Sequence, residues 1–506
     1  MIKYIVDSIL SSFYKPINKF IENPWENQLD TFNYLISHGS HTFFGHKNKF
    51  NKIKTPDDFK KHVPIMGYED LKPYLDIIIN EKKQNVLWDT PIKWFAMSSG
   101  TTNDKSKYIP VTQESLKNCH YKGGHHMLAL YAKHNPKNAV MFGKALVLGG
   151  SQQVNTIGEG IFTGDVSAIL VKNLPWWAKK RRTPEEISLI PDWDVKLQKL
   201  TDYAINQDIR TLLGVPSWML VLLKKITKDT GKTIPELWPN LEAFFHGGVS
   251  FLPYREQFEK LIPTDKMNYW ETYNASEGFF GVQYTPDSPD LLLLLDTQVY
   301  YEFIPNGDWQ KENPEVLTLN EVKIGEKYAI LISTSGGLWR YLLGDTIEFT
   351  SLNPPLFKIT GRTKHFINAF GEELMIDNAQ DALHEACQAT GAKITEYTAG
   401  PVFFGDNNNG AHEWLIEFET RPSDIDLFTH TLDTALKSLN SDYEAKRSFG
   451  LSLGVPIIKA LPQNFFYEWM KSKEKLGGQN KVPRLANHRE YVDSLLKFLS
   501  QSAKIE

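Results

Sequence analysis

Between residues 144 and 272 the chain repeatedly alternates a short apolar run with a longer helical stretch, and that alternation limits its fold more than any other feature. The runs at 144–148, 210–215, 241–245 and 267–272 are rich in β-branched and aromatic residues, while 195–206, 216–229 and 254–260 between them carry helical patterns. Strand and helix taking turns in this way predicts an α/β sheet with helices on its faces. Apolar runs at 291–295 and 328–333 add buried-strand candidates. Residues 1–90 read mainly as helices, punctuated by Pro24, Pro56, Pro64 and Pro73. Pro56-Asp57-Asp58 marks a helix start, because proline suits a first turn and acids suit its positive end. The organisation shifts again around Asn353-Pro354-Pro355. Past Arg362, helical patterns at 376–388, 424–439 and 465–475 mix with strand candidates at 393–398, 413–420 and 456–460, giving one small α+β module. We place the boundary near Lys364, with one domain over 1–364 and a second over 365–506.

Charge and composition exclude several classes. A formal charge of −4 over 506 residues rules out a strongly basic nucleic-acid scaffold and a polyanionic tail alike. Hydrophobic residues at 41% and aromatics at 12% supply a large core, which excludes wholesale disorder. The two cysteines, Cys119 and Cys387, stand far apart and read as buried apolar residues, not as a disulfide or zinc framework. No apolar run approaches the roughly 18 residues of a membrane span. Near the N-terminus Asp7 interrupts the apolar stretch, and Ile2, Ile5, Val6, Ile9, Leu10 and Phe13 have the spacing of an amphipathic helix that packs on a domain. The expectation is a soluble, cytoplasmic protein with no nucleic-acid or membrane partner.

Three segments can carry chemistry. Ser98-Ser99-Gly100-Thr101-Thr102, with Lys105 and Lys107 just beyond, sets hydroxyls and backbone N–H groups where they could donate to phosphate oxygens. It lacks the Gly-Lys-Ser/Thr of a Walker loop, and a polar turn is the competing reading. Tyr273-Asn274-Ala275-Ser276-Glu277-Gly278 follows an aromatic strand end, where α/β sheets bind ligands; a capped helix start is the alternative. Glu277 could hold Mg²⁺, which takes a carboxylate together with phosphates. In Leu343-Gly344-Asp345 a carboxylate at the end of an apolar strand would sit at a sheet edge and accept from two ribose hydroxyls. Other temptations fail. His384-Glu385 lacks a second histidine at metalloprotease spacing, His125 and His126 point apart on a helix, and no Gly-x-Ser-x-Gly elbow is present.

Taken in order, the loop at 98–102, Val215-Pro216-Ser217, His246-Gly247-Gly248, the 273–278 segment, Leu343-Gly344-Asp345 and Gly361-Arg362 resemble the motif series of adenylate-forming enzymes. More narrowly, the chain resembles the Gretchen-Hagen-three, auxin-responsive-promoter family of plant acyl-acid amido synthetases and their bacterial relatives, and is nearer the bacterial members. Carrying that likeness are the Ser-Ser-Gly-Thr-Thr start, Ala275-Ser276-Glu277-Gly278, the Gly337-Leu338-Trp339-Arg340-Tyr341 approach to Gly-Asp, and the closing Lys481-Val482-Pro483.

The resemblance implies a large adenylating-enzyme-like α/β domain with mixed β-sheets flanked by helices, followed by a small mobile α+β domain. It implies a ligase that uses ATP and Mg²⁺ to activate a small-molecule carboxylic acid as an acyl-adenylate and passes the acyl group to an amine or amino acid. Ser98, Ser99, Gly100, Thr101 and Thr102 would cradle the phosphates, with Gly248 and Ala275 also on the nucleotide. Tyr273 would stack on or flank adenine, Ser276 would meet the α-phosphate, and Glu277 would hold the metal. Asp345 would take the ribose hydroxyls, Arg362 would sit beside them, and Lys481 would visit the α-phosphate or ribose during adenylation. Two departures stand out. Asn103-Asp104 replaces glycines of the phosphate loop, and Leu342 replaces an arginine, whose work would pass to Arg340 or Lys364. An acyl-CoA ligase of the same superfamily and a non-catalytic nucleotide-binding scaffold are the rival readings.

Overall fold

The computed structural model describes residues 2–99, 106–149, 154–158, 160–190, 192–252, 254–309, 311–363, 366–404, 410–447, 453–472 and 484–502. Helices Ile2–Glu22, Pro24–Gly39, Phe43–Lys47, Pro56–His62 and Tyr68–Ile79 occupy the N-terminal stretch. The start at Pro56 is fixed by a reciprocal cap: the Asp58 N–H donates to the Thr55 hydroxyl, and the Thr55 N–H donates to the Asp58 carboxylate. Of the expected apolar face of the first helix, Leu10 is buried and the Phe13 ring stacks 4.3 Å from His125 on helix Lys122–His134, whereas Ile9 is exposed and the side chains of Ile2 and Ile5 lie outside the described residues. Further along, Ile17 and Phe20 are buried.

Fourteen strands of the larger unit follow in chain order: β1 (Trp94–Ser99), β2 (Ser106–Val111), β3 (Lys144–Leu148), β4 (Asn155–Gly158), β5 (Ile161–Gly164), β6 (Ile209–Gly214), β7 (Ala243–His246), β8 (Asn268–Ala275), β9 (Gly278–Thr285), β10 (Ser288–Leu293), β11 (Val299–Pro305), β12 (Lys327–Thr334), β13 (Tyr341–Leu352) and β14 (Pro355–Arg362). Ten of them form one sheet in the order β11-β12-β13-β14-β10-β9-β8-β7-β6-β3. From β3 to β8 neighbouring strands run parallel, and from β8 to β11 they run antiparallel. β8 is therefore the strand on which the sheet changes character. The parallel half is the region of strand–helix alternation, and its helix Pro216–Thr230 opens on proline and stops at Gly231, as a strand crossover of this size requires. A second sheet has the order β2-β1-β5-β4.

The chain divides into two compact units: the larger holds Met1–Ser98 and Tyr108–Thr363, and the main part of the smaller begins at Lys364. In the small unit β15 (Phe366–Ile367) pairs with β16 (Leu374–Met375), and β17 (Lys393–Val402), β18 (Ala411–Thr420) and β19 (Ile457–Leu461) form a three-stranded sheet. Helices Ile376–Thr390 and Ile425–Leu439 bury Leu383, Ala386, Phe428 and Leu432 in one core with Trp414 and Ile416 of β18.

Three expectations are corrected. Asn353-Pro354 is the turn of the β13–β14 hairpin, not a point where organisation changes. The 273–278 segment is no helix start: β8 runs to Ala275, and Ser276-Glu277 is the two-residue turn into β9. Asp345 lies inside β13, with β12 on one side and β14 on the other, so its carboxylate is at no sheet edge. Gly344, at φ +91, kinks the strand just before it, which lets a polar residue stand within an apolar strand.

Candidate active site

Where the parallel strands end, glycine allows the chain to leave β7. A Cβ on Gly247 would fall 2.3 Å from the Thr272 carbonyl oxygen of β8, and Gly248 at φ +83 then turns the loop. The Thr272 hydroxyl donates to His246 O at 3.0 Å and ties the two strand ends together. His246 itself is buried against Phe251, ring centroids 4.3 Å apart, and burial pushes its imidazole down to about 3. It is a neutral packing residue.

The turn residues Ser276 and Glu277 are half-buried, as is Ala275. Three residues before Ser276, Tyr273 joins a buried polar cluster. Tyr273 Oη donates to Asp345 Oδ2 at 2.5 Å, and Arg362 Nε donates to Asp345 Oδ1 at 2.6 Å. β13 and β14 set Asp345 directly opposite Arg362, so backbone pairing fixes the ion pair. Burial, then the Asp345 charge, then the phenol's own hydrogen bond to that carboxylate hold the Tyr273 hydroxyl well above its ordinary range, and Glu277 adds to the shift. Tyr273 therefore stays a donor. An ionised carboxylate offers about four lone-pair positions. Tyr273 and Arg362 use one on each oxygen, which leaves acceptor capacity on both for a pair of neighbouring hydroxyls.

Of the two roles expected of Tyr273, stacking on adenine or flanking it, its burial suits only flanking. Its residue is only 7% exposed, with the ring 5.2 Å from Phe280 and 6.1 Å from Phe357, so it offers a rim and not a stacking platform. Arg340 likewise does not replace the arginine missing at Leu342. It is buried, donates to Glu302 at 2.9 Å and to Val63 O at 2.7 Å, and so anchors the β12–β13 turn to the N-terminal helices. Trp339 beside it does the same through Leu87 O at 3.0 Å and by packing on Phe50. The Gly-Leu-Trp-Arg-Tyr approach is thus a packing element, and Asp345 is the residue it delivers.

Ser98 is half-buried on β1, in the other sheet, and among the described residues no hydrogen bond joins it to the Asp345 cluster. Ser99 ends that strand; its side chain, with Gly100, Thr101, Thr102, Asn103, Asp104, Lys105, Lys364 and Lys481, lies outside the described residues. No group of three or more His, Cys, Asp or Glu is gathered as a metal site among the described residues.

Two features escape sequence reasoning. The Tyr273–Asp345 bond joins residues 72 apart and has no local signal. Lys122 and His126, four apart on one helix face, bond Asp296 at 2.8 Å each. Burial opposes ionisation of Asp296, but those two partners outweigh it and hold the carboxyl below its ordinary value. Their spacing was the available signal. Cys119 offers no nucleophile, because burial pushes its thiol up to about 12.

Comparison with known proteins matches three successive parts of the chain to one family: the GH3 family N-terminal domain over residues 13–267, its central domain over 292–362 and its C-terminal domain over 377–490. Similar proteins include indole-3-acetic acid-amido synthetase GH3.4 of Arabidopsis thaliana, 24% identical over 92% of this chain and 90% of that one. Jasmonoyl–L-amino acid synthetase JAR6 of Nicotiana attenuata is 24% identical over 88% of each. In fold the chain is similar to AtGH3.15 acyl acid amido synthetase in complex with 2,4-DB, with TM-score 0.62, 20% identity and 96% of each chain covered. A 2-hydroxyisobutyryl-CoA ligase in the thioesterification state also shares the fold, with TM-score 0.51, 13% identity, and 94% of this chain and 92% of that one covered.

Proposed function

The chain belongs to the GH3 family, and on that premise we propose that it is an ATP-dependent acyl-acid amido synthetase. A carboxylate oxygen attacks the α-phosphorus of ATP and the bond to pyrophosphate breaks, leaving an acyl-adenylate. The nitrogen of an amine, such as that of an amino acid, then attacks the acyl carbon; the bond to AMP breaks, and the nitrogen's proton passes to solvent. Activation is needed because oxide is a very poor leaving group at neutral pH, whereas AMP is a good one. The protein's task is alignment and charge stabilisation at phosphorus.

The observation that carries this reading is the Asp345 cluster at the β8 switch, a buried carboxylate oriented from both sides with acceptor positions to spare. It binds the two ribose hydroxyls, while Tyr273 and Arg362 orient it through one hydrogen bond on each oxygen. The Ser276 hydroxyl donates to the α-phosphate from the β8–β9 turn. Mg²⁺, held there by Glu277, would neutralise charge on the phosphate oxygens. Ser98, Ser99, Gly100, Thr101 and Thr102 cradle the phosphates, and Gly248 and Ala275 let the nucleotide approach the backbone. Lys481, on a mobile domain of residues 365–506, reaches the reacting centre during adenylation and then leaves; a lysine suits that visit as a long point charge. The reaction runs in the cytoplasm.

Pyrophosphate release from ATP across a panel of carboxylic acids tests the first step. Offering the resulting acyl-adenylate hydroxylamine, amino acids or coenzyme A tests the second. Consumption of coenzyme A without any amine would assign the acyl-CoA ligase, and no pyrophosphate with any acid would assign the scaffold.

A further inference from the structure

Past helix Val166–Asn173 the chain returns to the large sheet and lies along β3, its last strand. Ala145 N donates to Arg181 O at 2.8 Å, Thr183 N donates to Ala145 O at 3.1 Å, and Arg182 bridges Ala145 in parallel. Extended backbone sends successive side chains to opposite faces. Arg181 goes one way and donates to the Met141 carbonyl. Arg182 goes the other way, to the side of the Tyr121 phenol, and meets no counter-charge there. Among the described residues no hydrogen bond or ion pair reaches its guanidinium. The Tyr121 hydroxyl donates to Leu170 O at 3.0 Å, and burial pushes it up to about 12, so it stays neutral. Burial also pushes the guanidinium down to about 10, although the residue keeps some access to solvent. An enclosed cation without an acid is costly unless an anion from outside completes it.

Its neighbour places it near the reacting centre. Tyr121 closes the π-helical turn Leu116–Tyr121 and leads into helix Lys122–His134. Tyr131 of that helix stands at the entering ends of β7 and β8, its hydroxyl 3.3 Å from Asn268 Nδ2 and 3.5 Å from Glu242 O. Tyr121, ten residues earlier, is about 15 Å along the helix toward the leaving ends, where α/β sheets bind ligands. The contact there is direct: Phe279 N, just past the Ser276-Glu277 turn, donates to Cys119 Sγ at 3.2 Å. We propose that Arg182 recognises a carboxylate that a substrate keeps throughout the reaction. The inference rests on the ligase reading, which supplies such groups. The carboxylate that is activated loses its charge in the acyl-adenylate, so a permanent cation suits it poorly. An acceptor amino acid keeps its own carboxylate, and a dicarboxylic acid keeps its second one. A guanidinium meets either through two parallel N–H bonds, and a simple amine or a monocarboxylic acid offers it nothing.

Arg182→Met in the full chain keeps an apolar stem and removes the charge. Because that charge has no partner, the urea midpoint of the variant should equal or exceed that of the parent chain. Two arms locate the carboxylate. In pyrophosphate release, a dicarboxylic acid should show a KM about tenfold or more higher in the variant, while its monocarboxylic counterpart is unchanged, if the acid carries the group. In amide formation from supplied acyl-adenylate, an amino acid should show the same rise while its carboxamide is unchanged, if the acceptor carries it. A response in either arm supports the proposal and names the source. A lowered midpoint, equal behaviour of both members of each pair, or a raised KM for ATP alone overturns it. Absence of pyrophosphate with every acid defeats the ligase reading separately, and the guanidinium is then read by binding. Millimolar glutamate, which carries both kinds of carboxylate, should raise the midpoint of the parent chain and not of Arg182→Met. An equal shift in both, or none, overturns the proposal.

Discussion

Asp345 shows how one residue can be visible in a sequence while its working parts are not. Gly344-Asp345 marks the carboxylate, but neither the phenol on Oδ2 nor the guanidinium on Oδ1 could be assigned from spacing, because the guanidinium arrives through the β13–β14 pairing and the phenol from β8, which does not pair with β13. In the proposed reaction Asp345→Ala removes the acceptor of both ribose hydroxyls. Hydrogen bonds to a charged group contribute about 1.5–3 kcal/mol each, so pyrophosphate release at low ATP should fall about a hundredfold or more. Unchanged use of ATP in that variant would remove Asp345 from the site. Tyr273→Phe keeps the ring packed on Phe280 and loses only the donor. Its expected effect is a rise of about fivefold to tenfold in KM for ATP, with kcat nearly kept and weaker discrimination between ATP and 2′-deoxyATP. A platform role for adenine predicts instead that this conservative change does nothing, since a phenyl ring stacks as well as a phenol.

At the scale of elements, strands and helices of the parallel half were legible because their apolar runs and caps agree with one another. Helix Pro216–Thr230 and strand Lys144–Leu148 sit where periodicity and punctuation put them. The 273–278 segment was ambiguous for a physical reason: Ser and Glu near Gly serve equally in a helix cap and in a tight turn, and only the partner strand β9 decides. Asp345 was misplaced at a strand end because Gly-Asp normally stops a strand, whereas pairing on both sides carries β13 through it. Gly247 is where element geometry is least forgiving. Gly247→Ala would set a methyl 2.3 Å from the Thr272 carbonyl oxygen, and neither strand can give way. We expect a loss of about 1–3 kcal/mol, read as a lowered urea midpoint, with the Gly248 loop displaced. An unshifted midpoint would show that β7 and β8 part more easily than their hydrogen bonds indicate.

For the molecule as a whole, the two-part organisation was readable from the change of pattern beyond Arg362, while the inward turn of its histidines was not. His120 and His246 are buried and stay neutral, with burial pushing them down to about 4 and about 3. Below pH 6.5 the unfolded chain takes up protons that these native rings refuse, so stability falls with pH by about 1.4 kcal/mol per unit for each ring, until each native value is reached. His246→Phe should remove one ring's share of that slope in urea titrations between pH 6.5 and 4; an unaltered slope would contradict it. Lys481→Ala should slow adenylation yet leave use of supplied acyl-adenylate near normal, and equal damage to both half-reactions would contradict a visit limited to the first. Trp339 and Gln28 have a different kind of consequence. Gln28, fully buried on helix Pro24–Gly39, donates to Leu295 O and Val299 O and accepts from Tyr301 N, so its amide plays the part of a neighbouring strand along the flank of β11 away from β12, which Leu317 continues at Phe303. With Trp339 bonded to Leu87 O, the opening helices become a sheath for that flank. A gene fragment starting at β1 would bare it to every other copy in solution. Recombination among relatives would therefore have to pass the first ninety residues and the β11–β13 sheet on together, as a single heritable block.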